Sequence, residues 1–105
     1  PHAETHTVVL PHALAYNAAA APAAMACIAR ALGLAEAAGV PAALAALAAR
    51  HGAPTSLRAL GMPHEGVAQA AELAATNQYP NPRPLERAAL QALIERAWQG
   101  APPAA

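Results

Sequence analysis

Five histidines stand in this chain of 105 residues, and three of them, His2, His6 and His12, crowd its first dozen positions, PHAETHTVVLPHALAYN. Imidazole exchanges a proton near neutral pH, and its ring nitrogens are common ligands of divalent metals. His2 and His6 are four residues apart, so a helix sets them one turn apart on the same face. That spacing lets two imidazoles share one metal, although a complete site needs four ligands, or three and an open position. The stretch reads H-x-E-x-H, not the H-E-x-x-H of zinc proteases. Glu4 is carried off the ligand face, and protease chemistry is rejected. His12 is turned about 80° from His2 on a helical wheel and lies beyond Pro11. Spacing alone leaves two readings open: paired core or rim histidines, and a metal or catalytic site built mostly elsewhere.

The elements that position these residues read as helices throughout. The first spans Pro1 to about Asn17, and Pro11 inside it is expected to kink or divide it. Val8 to Ala15 is apolar on nearly every side, the mark of a helix buried all round. A second helix is predicted from Pro22 to Leu32 with Gly33 as its stop, and a third from about Pro41 to Gly52. GAPTSLRALGMP reads as a loop with one helical turn, because Pro54, Gly61 and Pro63 crowd it. From His64 to Thr76 the polar Glu65, Gln69, Glu72 and Thr76 share one stripe, opposite Val67, Ala70, Ala71 and Ala74. NQYPNPRP is a proline-rich break. A last helix is predicted from Pro84 to Gln99, with Leu90, Leu93, Ile94 and Ala97 on its inner face. Cys27 and Trp98 are expected in the core. His51 and His64 fall at helix ends, where solvated or capping roles are expected.

Composition restricts what such a bundle can be. Net charge is zero and neither lysine nor aspartate occurs, so the basic footprint of a nucleic-acid binder is missing. Alanine makes up about a third of the chain, while Leu, Ile, Val and Phe reach only about 17%, below the share of a self-sufficient core. Helices of this kind are expected to pack closely, partly against a neighbour outside the chain. No stretch of about 18 apolar residues escapes Pro, His, Asn or Arg, which argues against a membrane span. Cys27 is the single cysteine, which excludes a disulfide framework and fits a reducing, cytoplasmic setting.

The opening stretch resembles the P-H-G-x-x-N-A-x-x-L-P-H-V-x-x-x-N segment of iron-containing alcohol dehydrogenases, and most closely the branch that reduces maleylacetate, where Ala-Glu-Thr-His stands as it does here. GAPTSLRALGMPHEGVAQAAELA and NPRPLERAALQALIERAW resemble that family's later stretches in the same order. The resemblance implies an all-α fold, a bundle of about five helices forming the C-terminal portion of the helical domain of a two-domain dehydrogenase. Residues 1–105 would be part of that domain, with the NAD(P)-binding α/β domain absent from this chain. It further implies an oxidoreductase that is inactive as this fragment and a homodimer when complete, acting on a small dicarboxylate with NADH or NADPH. His6 and His2 are then the expected catalytic groups. His2 matches the last of four metal ligands in the members that use a divalent metal such as iron or zinc; no cofactor-binding loop is present. Asn77 matches a position lining the substrate pocket, with Tyr79 its near neighbour, against a plain role for both in capping and loop packing. Arg83 is open to binding a substrate carboxylate or to fixing its turn. Three competing readings are an iron-containing alcohol dehydrogenase with another substrate, an alanine-rich helical interaction module, and a small metal-binding bundle that would need further ligands close to His2 and His6.

Overall fold

Proline and glycine decide where the helices begin and end. The computed structural model describes residues 2–78 and 80–104, except for the side chain of His2. Its helices are α1 (His2–Asn17), α2 (Pro22–Leu32), α3 (Val40–Arg50), α4 (Gly66–Thr76) and α5 (Arg87–Gln99), with 3-10 turns at Ala18–Ala20 and Ala37–Gly39. No strand occurs among the described residues. The all-α expectation holds. Pro22 and Pro41 occupy first-turn positions of α2 and α3, where a missing N–H leaves no bond unmade. Gly33 and Gly100 close α2 and α5 in the left-handed conformation, with φ of 73° and 78°, which costs glycine no Cβ clash.

Gly100 is the tighter of these two stops. A Cβ added there would lie 3.2 Å from Ser56 Cβ and 3.4 Å from the Thr55 carbonyl oxygen, whereas one at Gly33 would meet nothing within 4 Å. Gly100→Ala is therefore expected to cost more than the 1–2 kcal/mol or so of left-handed strain that Gly33→Ala alone should show. Thermal melts of the two variants side by side check this, and equal losses would contradict it.

Several sequence expectations shift by a turn, each for a visible reason. α1 runs on past Pro11 without dividing. The proline removes one bond to the Thr7 carbonyl, but its ring is buried, and that packing offsets the loss. α4 starts at Gly66 rather than His64, because the Gly66 and Val67 amides bond the Pro63 and His64 carbonyls in a turn of their own. α5 starts at Arg87 rather than Pro84, because Glu86 is extended (φ −107°, ψ 129°) and its amide donates to the Tyr16 hydroxyl. Cys27 is exposed rather than buried. On α2 the inward face is Met25 and Ala29, and the 100° step per residue swings position 27 to the far side.

The core is thin and divided. α1 packs on α3 and α5, and α4 pairs with α5. One cluster joins Tyr16, Ala71, Leu85 and Leu90, a second Val8, Leu57 and Ala97, and a third Met25, Ala29 and Val40. Val40 is the largest side chain fully buried among the described residues. Trp98 is half-buried; its indole N–H donates to the Met62 carbonyl at 2.7 Å, with the Arg58 guanidinium 5.2 Å from its ring centre. No single described helix is both long and apolar enough to cross a membrane.

Candidate active site

α1 carries the chemistry-bearing side chains, and it is covered on one side only. Val8, Pro11, His12, Ala15 and Tyr16 are buried, while His6 and Leu10 on the other side are exposed, Leu10 by 51%. The helix is apolar nearly all round, yet its second side is left open to solvent at His6 and Leu10. His6 borders an open groove of about 400 Å³ with Thr7, Val9, Leu10 and Ala13. Val9 also lines a wider apolar trough of about 580 Å³ with Leu57, Leu60, Met62 and Ile94. The result is one exposed imidazole on the rim of a large, open apolar surface.

The other expected site residues divide. The side chain of His2 and all of Tyr79 lie outside the described residues, so the expected catalytic and metal role of His2 and the pocket role of Tyr79 are not addressed there. Asn77 is exposed at the end of α4, its amide bonded to the Leu73 carbonyl at 2.9 Å. The α4 wall of the trough is Ala70 and Ala74, not Asn77. No group of three or more His, Cys, Asp or Glu side chains among the described residues could hold a metal ion. His51 is exposed just past α3. His64 Nε2 meets Glu95 Oε1 at 2.7 Å, tying the loop before α4 to α5.

A polar clamp at the far end of α1 went unread in the sequence. The Tyr16 hydroxyl donates to the Pro84 carbonyl and accepts from the Glu86 amide. Asn17 and Asn81 join their side-chain amides, with Asn81 Nδ2 2.7 Å from Asn17 Oδ1 and Asn17 Nδ2 3.2 Å from Asn81 Oδ1. The Arg83 guanidinium lies 4.0 Å from the centre of the Tyr16 ring and also donates to the Tyr16 carbonyl, a cation–π contact reinforced by a hydrogen bond. Of the two roles open to Arg83, fixing the turn is the one this geometry serves. Only the adjacency of Tyr16 and Asn17 hinted at the clamp, since its partners lie more than sixty residues away.

Comparison with known proteins gives these features a family. The model of the C-terminal part of the iron-containing alcohol dehydrogenase family matches residues 1–98. The chain belongs to that family. It is 59% identical over 103 residues to maleylacetate reductase of Burkholderia cepacia and 53% identical over 105 residues to that of Pseudomonas knackmussii. It covers 98% of its own length in the first match but only 28% of that relative, and 100% against 29% in the second. Maleylacetate reductase of Agrobacterium tumefaciens, a crystal structure, superposes with a TM-score of 0.88 at 47% identity, over 98% of this chain and 28% of that one. The helical arrangement is thus shared with solved members, and the chain spans less than a third of their length.

Proposed function

We propose that these residues form the C-terminal helical part of an NAD(P)H-dependent maleylacetate reductase of bacterial aromatic-compound breakdown, acting in the cytoplasm as a homodimer. The observation that carries this reading is the 59% identity to a maleylacetate reductase across 98% of the chain. The reaction converts maleylacetate into 3-oxoadipate. A reduced nicotinamide, when bound, would supply the hydride for one carbon of the double bond, and a proton would have to reach its neighbour. As the double bond is lost, charge builds on the conjugated carbonyl oxygen, which needs a hydrogen-bond donor aimed at it. His6, exposed on the α1 rim, is assigned that donor role, since an imidazole can give up a proton near neutral pH. His2, one turn earlier on the same helix, is assigned to the same pocket. It is also the residue that would ligate a divalent metal if the complete enzyme holds one. Asn77 and Tyr79 are assigned to the substrate side of the pocket, and the nicotinamide to a part of the complete enzyme outside these 105 residues.

This assignment makes the 105-residue chain incompetent alone. Mixed with NADH and maleylacetate, it should give no NADH oxidation above the blank, whereas the full-length enzyme should turn over. Its uncovered apolar trough should also bind a hydrophobic dye strongly, with a broad melt. Turnover by the isolated chain would overturn the assignment of nucleotide binding to an upstream domain. A sharp, cooperative melt without dye binding would overturn the view that its helices were shaped for an absent neighbour.

A further inference from the structure

We propose that Arg83 and Arg96 form a binding site for a small dianionic oxyanion, phosphoryl or dicarboxylate, in the cavity between the Asn-Pro-Arg turn and α5. Ala89, Ala92, Leu93 and Arg96 recur at helical spacing and so share one face of α5. That face, together with Tyr16 and Arg83, lines a cavity of about 70 Å³, well above the roughly 10–15 Å³ that one water requires. Each guanidinium is anchored by a single bond. Arg83 Nη1 donates to the Tyr16 carbonyl at 3.3 Å, and its central carbon lies 4.0 Å from the centre of the Tyr16 ring. Arg96 Nη1 donates to the Pro102 carbonyl at 3.2 Å. Both acceptors are neutral, so neither charge is cancelled. A guanidinium carries five N–H donors in a rigid fork that matches carboxylate and phosphate oxygens, and most of these donors have no protein acceptor among the described residues.

No carboxylate balances this pair. None of the six glutamates lines the cavity. The ion pairs among the described residues are Arg87 with Glu72 and His64 with Glu95, and neither includes Arg83 or Arg96. The charge of Arg96 is felt beyond the cavity. After burial, which is the larger cause, it helps to hold the His12 imidazole below its ordinary value of 6.5. Two like charges on the wall of one cavity repel each other, and a dianion between them turns each interaction attractive. Arg83 is half-buried and Arg96 exposed, so the anion reaches the site from solvent and is held more weakly as salt rises. The cavity shares no lining residue with the groove that His6 borders. The site is therefore separate from the groove assigned to catalysis.

The test is an NMR titration of the full-length protein, labelled at its alanine methyls, with inorganic phosphate, sulfate and succinate in turn at low ionic strength and mildly alkaline pH. The methyls of Ala89, Ala92 and Ala104, which border the cavity, are expected to shift together and to saturate. Saturation by phosphate and sulfate alone marks a phosphoryl site, and saturation by succinate marks a carboxylate site. Arg96→Gln should raise the midpoint about tenfold or more, the effect of losing one hydrogen bond to a charged group. Arg87→Gln removes the same charge from elsewhere on α5 and should leave the midpoint where it was. No saturable shift at these three methyls, an unmoved midpoint in Arg96→Gln, or an equal rise in Arg87→Gln overturns the site. Should Arg96→Gln fail to fold, sodium chloride gives a second readout on the wild type: the midpoint should rise steadily with salt, and a midpoint indifferent to salt overturns the proposal as well.

Discussion

Replacing His6 with alanine in the full-length enzyme is expected to lower kcat about 100-fold or more, the scale of losing one general acid or one donor to a developing oxyanion. KM should change far less. A group that acts on charge developing only in the transition state contributes little to holding the ground-state substrate. Position supports this partition: His6 stands exposed on the rim of an open groove, with Thr7 and Leu10 as neighbours. A loss confined to KM would demote His6 to a residue that merely binds a carboxylate. His2→Ala, made alongside, separates two chemistries. In a metal-dependent enzyme that variant loses bound metal and activity together; in a metal-free one, activity falls while metal content and chelator sensitivity stay as they were. Full activity in both variants would remove the catalytic reading of the α1 histidines.

The largest stability effect is expected at Tyr16. Its ring is 4% exposed at the centre of the cluster with Ala71, Leu85 and Leu90, and its hydroxyl serves Pro84 and Glu86 at once. Tyr16→Ala removes ring, stack and both bonds, and should destabilise this region by about 3–5 kcal/mol, the range for truncating a buried aromatic. Tyr16→Phe keeps the ring but strands a carbonyl and an amide, at a cost of about 1–3 kcal/mol. Native-state hydrogen exchange gives the local readout. The amide of Leu90, bonded to the Glu86 carbonyl at 2.9 Å, should lose protection in both variants and far more in the alanine one. Equal protection in Tyr16→Phe and wild type would show that the hydroxyl bonds do not hold the start of α5.

What the sequence by itself determined is what local chemistry can fix. Pro22 and Gly33 bracket α2 because their backbone restrictions act on a few neighbouring residues, and the stripes of α4 and α5 follow from a helix having one face to bury. The histidine spacing on α1 belonged to the same class, as did the family resemblance carried by short motifs that the comparisons then bore out. Tertiary structure decided everything that depends on partners distant along the chain. His64 leaves α4 for Glu95, and Glu86 is drawn into extended geometry by a tyrosine seventy residues earlier. Pro11 stays inside an unbroken helix because its ring is packed, a compensation no local rule contains. The two sides of α1 were likewise indistinguishable in sequence, being almost equally apolar. Burying His12 while leaving His6 and Leu10 in the open was settled only by where α3 and α5 come to rest, because an apolar surface has no preferred partner until the chain brings one within contact.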